Sequence, residues 1–253
     1  MKVALCFYGL LGSIKGKSGN TEKSSSDVLD IAFNHVKKHI LDLNDIDIFI
    51  HSWDVDLKEE IVSLYKPKGS IFEQTKTFKI EPPLTDTRRV QNHYSRWYSC
   101  REVMRLKKAY EIENNFKYDF VALSRQDIAW QTDVDFSKFD TNYFYVPNWR
   151  QQFNGAQMGW PHGGYNRSLQ DIWCFGNSDD MGRFVDIYEN IQQYSIDNSD
   201  LMGNKGISNH RLMYHQLVLM GILPKRLKFA YNHDLIEKSD MPLVRYKFFG
   251  DTT

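Results

Sequence analysis

Short runs of apolar residues alternate along the chain with longer segments in which apolar residues recur every three or four positions. A short run predicts a buried β-strand, and the longer periodic segments predict helices with one face against a core. The predicted strands are residues 3–8, 47–50, 77–80, 119–124, 143–146, 172–175, 227–231 and 243–248. The predicted helices are residues 28–41, 87–114, 179–194 and 209–220.

The order of these elements predicts a doubly wound α/β fold. In the first half, the order is strand, helix, strand, strand, helix, strand. This alternation favours a mostly parallel sheet with helices on its faces. Ligands of such sheets bind beyond the carboxyl ends of the strands. Residues 9–13, 51–54 and 125–127 are polar segments at predicted strand ends, and we expect them to form one site.

Composition limits what the protein can be. Of its 253 residues, 42% are hydrophobic, and 32 basic residues balance 32 acidic ones. A net charge of zero gives no support to nucleic-acid binding, which needs a basic excess. The three cysteines lie far apart and form no CxxC pair, which indicates buried thiols in a reducing compartment. Because we find neither an apolar run of membrane-spanning length nor a signal peptide, we expect no membrane span and a cytoplasmic location.

One segment is similar to a phosphate-binding loop but departs from its motif. Residues 12–18 are GSIKGKS, with three residues between the glycines where the P-loop has four. No helix is predicted directly after it, although a helix N-terminus normally supplies the phosphate-binding N–H groups. We therefore favour a surface loop for residues 15–25. A P-loop-type phosphoryl or sulfuryl transferase, with Lys17 on phosphate, stays open as an alternative.

Two aspartates lie beside predicted buried strands. Asp127 follows one of these strands, and Arg125 lies two residues before it. A carboxylate in this position can hold a divalent metal on a pyrophosphate, and the arginine can bind the same phosphates or orient the carboxylate. Asp171 precedes another strand and could act as a general base. The alternatives are an Arg–Asp pair in a surface turn and an aspartate that only caps a loop.

The long segment of residues 148–171 is rich in Gly, Gln, Asn and aromatic residues. Sugars stack their C–H faces on aromatic rings, so Trp149, Trp160 and Tyr165, together with His162, are candidate acceptor-binding residues. A loop that its own aromatic residues hold in place is the alternative. His233 follows a late predicted strand and could add a metal or phosphate contact.

Four segments resemble GT-A-like glycosyltransferases of bacterial polysaccharide loci and large DNA viruses. They are residues 2–9 (KVALCFYG), 47–53 (DIFIHSW), 118–127 (YDFVALSRQD) and 171–178 (DIWCFGNS). The resemblance implies a single GT-A-like domain over residues 1–253, with a Rossmann-like, mostly parallel sheet flanked by helices. Residues 1–130 would form the nucleotide-sugar-binding half, and residues 131–253 the acceptor-binding half. The implied activity is transfer of a sugar from a UDP- or GDP-sugar donor to a glycan or other hydroxyl acceptor.

The resemblance also implies roles for individual residues. Arg125-x-Asp127 stands where most GT-A enzymes carry Asp-x-Asp, so Asp127 would bind Mn²⁺ or Mg²⁺ on the donor diphosphate. Asp171 would face the acceptor, as the catalytic base if the reaction inverts the configuration of the sugar carbon, or as a substrate-positioning residue if the reaction retains it. The expected donor-binding residues are Gly9, Leu10, Leu11, Gly12, Ser13, Asp54, Arg125 and Asp127. A non-catalytic carbohydrate-binding protein is the second alternative, and it would bind sugars but no nucleotide.

Overall fold

The computed structural model describes residues 1–11, 25–148, 169–197, 202–203 and 206–232. The described strands are β1 (Val3–Gly9), β2 (Ile46–Ser52), β3 (Gly69–Phe72), β4 (Phe120–Arg125), β5 (Phe144–Asn148), β6 (Trp173–Gly176), β7 (Met202–Gly203), β8 (Gly206–Ile207) and β9 (Leu227–Asn232). The described α-helices are α1 (Ser25–His39), α2 (Lys58–Tyr65), α3 (Arg88–Glu113), α4 (Ser178–Phe184), α5 (Ile187–Asp197) and α6 (Asn209–Leu219). In this part of the chain, no helix is both long and apolar enough to cross a membrane.

Seven strands form the main sheet in the order β3-β2-β1-β4-β6-β5-β9. β3, β2, β1 and β4 pair in parallel, β6 is antiparallel to both of its neighbours, and β5 and β9 again pair in parallel. This mostly parallel, helix-flanked sheet confirms the predicted α/β, Rossmann-like fold. After β3 the chain returns to the far side of β1 to form β4. The strand order therefore reverses between β1 and β4, and this reversal is the switch point of the sheet.

The sheet separates two apolar layers. Because side chains alternate along a strand, β1 contributes Val3, Leu5 and Phe7 to one layer and Ala4, Cys6 and Tyr8 to the other. The first layer is closed by α1, α2 and residues 128–139. The second is closed by α3, α4, α5 and α6. Both faces of β1 are thus buried, which explains why its sequence is a continuous apolar run.

Helix α3 is the central element of the second layer. It begins after Thr87, whose side chain accepts a hydrogen bond from the N–H of Val90, and it packs across β1, β2 and β3. Its buried face includes Trp97, Cys100 and Val103, which recur at spacings of three. The sequence predicted this helix almost to its ends because such a long apolar stripe is a strong local signal.

Several predicted elements differ from the observed ones. Residues 77–80 are not a strand; Phe78 instead exchanges hydrogen bonds with the side chain of Gln91 on α3, and the third strand is Gly69–Phe72. The helix predicted over residues 179–194 is two helices, α4 and α5, because the chain turns at residues 185–186. Asn177 caps α4, since its side chain accepts a hydrogen bond from the N–H of Asp180. Helix α2 was not predicted, and residues 243–248 lie outside the described residues.

Candidate functional site

The polar segments predicted to converge do lie together at the carboxyl edge of the sheet. Gly9 at the end of β1 pairs with Ser52 at the end of β2, and Tyr8 pairs with Arg125 at the end of β4. The end of β1 therefore lies between the ends of β2 and β4, at the switch point. In open α/β sheets, the crevice at this position is where ligands bind. We call this region the switch-point crevice.

The backbone leaving β1 is held by side chains of the neighbouring elements. Gly9 has a φ of +93°, and a Cβ placed on it would meet no atom of the described residues within 4 Å, so these residues leave open space beside the strand end. The hydroxyl of Ser52 lies 3.2 Å from the carbonyl oxygen of Gly9. The N–H of Leu11 donates to Asp54 Oδ2 at 2.7 Å. Three predicted donor-binding residues, Gly9, Leu11 and Asp54, are therefore in one hydrogen-bonded unit; Leu10 is exposed between them.

Asp54 and Asp127 are close enough to influence each other. Burial raises the pKa of Asp54, the Leu11 N–H and Ser52 hydroxyl lower it, and the Asp127 charge raises it further. The β1–β2 side of the switch-point crevice therefore carries a partly buried carboxylate, whose hydrogen-bond donors are the Leu11 N–H and the Ser52 hydroxyl. This side is acidic or neutral in character.

Arg125 and Asp127 form a two-pronged ion pair just past β4. Arg125 Nε donates to Asp127 Oδ1 at 2.7 Å, and Nη2 donates to Oδ2 at 2.6 Å. The Asp127 side chain is fully buried, whereas 20% of the Arg125 side chain is exposed. Burial acts to lower the pKa of Arg125, but the Asp127 charge and hydrogen bonds outweigh it and raise the pKa. The pair matches the fork geometry of guanidinium–carboxylate contacts, and it presents the arginine toward the crevice.

A second Arg–Asp pair lies beside the first. Arg96 on α3 donates to the Asp171 carboxylate and to the Asp171 carbonyl oxygen, and its Nη2 also donates to the Tyr8 hydroxyl at 2.8 Å. His210 Nδ1 lies 3.5 Å from Asp171 Oδ1. Burial acts to raise the pKa of Asp171, but the charges of Arg96 and then His210 outweigh it and hold the pKa well below its usual range. Asp171 is thus a firmly ionised carboxylate inside a cationic group of residues.

A hydrogen-bonded chain of Ser99, His51 and Glu73 supports the end of β1 on the side of the sheet that α3 covers. Gly9 N–H donates to Ser99 Oγ on α3 at 2.8 Å, and Ser99 Oγ lies 2.7 Å from His51 Nδ1. His51 Nε2 lies 3.0 Å from Glu73 Oε1. Burial lowers the pKa of His51, although Glu73 partly offsets this, so a neutral ring can accept from Ser99 while it donates to Glu73. This chain of hydrogen bonds fixes the backbone where the crevice begins.

Sequence reasoning missed the residues that α3 brings to the site. Arg96 and Ser99 lie within a helix whose periodicity indicated only a core-facing stripe. The available signal was that these two polar residues flank the buried Trp97 and Cys100, so that polar groups interrupt the apolar face. Tyr8 was counted as part of a strand, and His210 was not assigned to this site.

Other predicted site residues lie outside the part of the chain that the structure describes. They are the donor-binding Gly12 and Ser13, the acceptor-binding Trp149, Trp160, His162 and Tyr165, and the metal-binding His233. The same holds for the P-loop-like residues 12–18. Their roles stay predictions.

The fit to a divalent cation is incomplete in the described residues. No group of three or more His, Cys, Asp or Glu side chains there is placed to hold a metal ion. Asp127 offers one carboxylate, and both of its oxygens already accept from Arg125. Mg²⁺ sites commonly combine one or two carboxylates with substrate phosphates. A metal at Asp127 would therefore take most of its ligands from the substrate.

Another cleft, of about 1120 Å³, lies elsewhere on the molecule, between α3 and the α4–α5 pair. It opens toward the amino ends of the strands, beside Phe116 and Lys117, which precede β4. Its buried polar groups, Lys107, Glu111 and Ser178, are bonded to one another. As a candidate ligand site we favour the switch-point crevice, because charged side chains converge there on the strand ends. The cleft between α3 and the α4–α5 pair is an open surface groove.

Comparisons of the chain with protein-family models and with curated proteins find no match. The geometry of the switch-point crevice therefore carries the functional assignment. Its chemistry consists of a backbone turn over open space, the partly buried Asp54 carboxylate on one side, and two Arg–Asp pairs on the other.

Proposed function

We propose that the protein is a glycosyltransferase that moves a sugar from a nucleoside-diphosphate-sugar donor to a hydroxyl acceptor. The observation that carries this proposal is the position of the Arg125–Asp127 pair. It lies at the end of β4, directly across the switch point from Gly9, where doubly wound sheets bind nucleotides. The segments that resemble GT-A enzymes include both of these strand ends.

The distribution of charge gives the donor an orientation. Arg125 and Arg96 lie on the β4–β6 side of the crevice, whereas Ser52 and Asp54 lie on the β1–β2 side. A diphosphate carries negative charge and is best accommodated beside the guanidinium of Arg125, whose Nη1 hydrogens and second Nη2 hydrogen can bind phosphate while Nε and the other Nη2 hydrogen pair with Asp127. The nucleoside then lies over Gly9 and Leu11, where open space and neutral hydrogen-bonding groups meet.

The reaction breaks the bond between the sugar and the diphosphate and forms a bond between the same sugar carbon and the acceptor oxygen. The leaving diphosphate gains negative charge, which Arg125 stabilises because it is fixed in place beforehand. The acceptor hydroxyl loses a proton, which must pass either to a base of the protein or to an oxygen of the leaving diphosphate. Asp171 was the sequence-based candidate for this base, but a carboxylate paired with Arg96 binds protons weakly. We expect Asp171 chiefly to hold Arg96 and His210 in position.

Metal, acceptor and location stay expectations within this proposal. Mn²⁺ or Mg²⁺ at Asp127 would add positive charge at the diphosphate, and Arg125 supplies such charge without it. A glycan acceptor that binds through Trp149, Trp160, His162 and Tyr165 is the expected partner, and the cytoplasm is the expected location. Neither nucleic acid nor a membrane is expected as a partner.

The test is isothermal titration with UDP, GDP and CMP, each with and without Mn²⁺. We expect one nucleoside diphosphate to bind, and at 100 times its Kd to add about 2.7 kcal/mol to the free energy of unfolding. Arg125→Gln removes the guanidinium group that binds phosphate. We therefore expect the Kd of the nucleoside diphosphate for this variant to rise at least about tenfold. Asp179→Ala is the matched control, because Asp179 lies on an exposed surface pair with Lys117.

The outcomes separate the alternatives. Binding that Arg125→Gln weakens and Asp179→Ala leaves unchanged supports the proposal. If wild-type protein binds carbohydrate but none of the nucleotides, the non-catalytic sugar-binding alternative replaces it. If Lys17→Ala abolishes nucleotide binding while Arg125→Gln has no effect, the P-loop-type transferase replaces it. A Kd for the diphosphate that improves with Mn²⁺ in wild type, and not in Asp127→Asn, would identify Asp127 as the metal ligand.

A further inference from the structure

Gln126 lies between Arg125 and Asp127 in the sequence. Of the two polar atoms of its side-chain amide, only the oxygen has a hydrogen-bond partner among the described residues. Its side chain is 1% exposed. Its Oε1 lies 3.4 Å from the Ser52 hydroxyl, across the end of β1. Its Nε2 is buried and has no hydrogen-bond partner among the described residues. Two N–H donors are therefore left without an acceptor at the switch point.

Such an arrangement is costly for a protein to keep. Buried polar groups nearly always have a hydrogen-bond partner, and a buried donor without one destabilises the folded state. The position of the amide is also constrained, because Ser52 belongs to the hydrogen-bonded unit of Gly9 and Asp54. A binding group that is fixed in position before its ligand binds has hydrogen-bond donors without an acceptor in the free protein. The Gln126 amide fits this description.

Other buried atoms without partners in the described residues do not share this position. Tyr65 Oη lies between α2 and the sheet, and Trp130 Nε1 lines a small internal cavity beside Ser124. His93 Nδ1 and Arg96 Nε belong to side chains whose other nitrogens are bonded to Ile207 and Asp171. Gln126 alone among these residues reaches across the end of β1 toward Ser52.

The surroundings of Gln126 determine the chemistry of the acceptor. The Asp54 carboxylate, 3.2 Å from the same Ser52 hydroxyl, would repel a phosphate on this side of Gln126. The charge of Asp127, in contrast, is paired with Arg125. The open space beside Gly9 admits an uncharged group. A neutral oxygen, such as a base carbonyl or a ribose hydroxyl, accepts from an amide N–H without this repulsion.

We propose that Gln126 is a ligand-binding residue whose carboxamide N–H donates to a neutral oxygen of the nucleoside, while its Oε1 lies beside the Ser52 hydroxyl. This inference rests on the proposed binding of a nucleoside diphosphate in the same crevice. It adds a specific contact that favours the nucleoside over other phosphate-bearing molecules.

The experiment measures the Kd of UDP and GDP by isothermal titration for wild type, Gln126→Glu and Gln126→Met. Gln131→Glu is the matched control, because Gln131 is exposed and receives the same chemical change. We expect both Gln126 variants to raise the Kd of the nucleotide that wild type binds by at least about tenfold, and the control to leave it unchanged. Pyrophosphate, which has no nucleoside, should bind Gln126→Met as it binds wild type.

Thermal unfolding of the free protein provides the second readout. Methionine removes the unsatisfied donors, so Gln126→Met should unfold at the same or a higher temperature than wild type, although it binds nucleotide less well. If Gln126→Met lowers the melting temperature and leaves the nucleotide Kd unchanged, the amide is structural and the inference is wrong. Equal losses of pyrophosphate and nucleotide binding would place the contact on phosphate and overturn the nucleoside assignment.

The failures of the two proposals are distinguishable. If wild type binds a nucleotide and both Gln126 variants bind it equally well, this inference fails while the proposed function stands. If wild type binds none of the nucleotides, both fail together.

Discussion

At the scale of single residues, the candidate site depends on ionisable groups whose protonation the fold controls. Asp171 is kept ionised by Arg96 and His210, and Arg125 is kept charged by Asp127. Histidines near the same region are kept neutral by burial. The crevice thus has a fixed pattern of charge, which a site that binds a diphosphate at neutral pH requires.

His93 should make the stability of the protein depend on pH in a defined window. Burial, and then the Arg89 charge, lower its pKa from 6.5 to about 4, against small opposing effects of the Ile207 carbonyl and Asp171; Arg96 lowers it slightly. Between pH 6.5 and pH 4 the unfolded chain binds a proton that the folded chain does not, so stability falls as the pH falls through this window. The loss is at most about 3 kcal/mol.

Urea unfolding of wild type and His93→Gln at pH 8 and pH 5 measures this effect. The loss of stability between the two pH values should be smaller in His93→Gln, because glutamine does not titrate. His51 and His35 also have lowered pKa values and contribute equally to both proteins. If wild type and His93→Gln lose the same unfolding free energy between pH 8 and pH 5, His93 binds its proton as readily in the folded state as in the unfolded state.

Asp171→Asn should destabilise the protein more than it would if Asp171 were only a solvent-facing base. The substitution leaves the largely buried Arg96 without its counterion, which costs about 3 kcal/mol in comparable buried pairs. The free energy of unfolding from urea titration at pH 7 measures this cost. Asp179→Asn, in an exposed pair, should have no measurable effect. Unchanged stability in Asp171→Asn, with complete loss of turnover, would instead restore Asp171 as the general base.

At the scale of elements, α3 joins the sheet to the site and to the second helical layer. Its first half supplies Arg96 and Ser99 to the switch-point crevice. Its second half supplies Lys107 and Glu111, which bond to each other and to Ser178 at the start of α4. Glu111 also accepts from the N–H of Tyr118 just before β4. One helix therefore connects the carboxyl ends of the strands with their amino ends, because at 26 residues it is long enough to span the sheet along the strands.

The buried Lys107–Glu111 pair should show strong coupling in a double-mutant cycle. Lys107→Met alone leaves a buried carboxylate uncompensated and should cost about 3 kcal/mol of unfolding free energy. Combination with Glu111→Gln should recover most of this loss, since glutamine still accepts from Tyr118 without a charge. The exposed pair Lys37–Asp42, changed to Met and Asn, should couple by less than about 1 kcal/mol. Additive losses at Lys107 and Glu111 would contradict the predicted coupling.

At the scale of the whole molecule, the sheet is covered by helices on both faces, and its central strands are shielded from solvent. Cys6 on β1, Cys100 on α3 and Cys174 on β6 all lie in the layer formed by α3 to α6. Burial raises the pKa of Cys6 and of Cys100 to about 12 and raises that of Cys174 as well. The thiols are therefore protected both by exclusion of reagents and by the scarcity of thiolate.

All three cysteines should react with a thiol reagent only when the protein unfolds globally. At pH 8, the free energy of opening from thiol labelling should equal the free energy of unfolding from urea titration. In the control, the protein is unfolded in concentrated urea, and a chromogenic thiol reagent should then label all three cysteines and release three equivalents of its chromophore. Rapid labelling of one thiol under native conditions would show that the layer opens locally at that strand or helix.

The sequence by itself determined the elements with strong local patterns. The apolar runs of β1 and β4 and the long stripe of α3 reveal their structure because periodicity depends only on neighbouring residues. Alternation of these elements also predicted a parallel sheet, and the rule for strand ends predicted that Gly9, Asp54 and Arg125 would converge. Weaker local signals failed, as at Gly69–Phe72, where glycine and serine conceal a strand.

Only the tertiary structure decided which side chains bond across the crevice. Arg96 meets Asp171 from 75 positions away, His51 meets Ser99 from 48, and Ser52 meets Gln126 from 74. No local pattern encodes such pairs, because they form only when α3, β1, β2 and β4 have packed together. Burial then sets their charge states and leaves Gln126 Nε2 without a hydrogen-bond partner among the described residues, since both effects depend on how much water the assembled layers exclude.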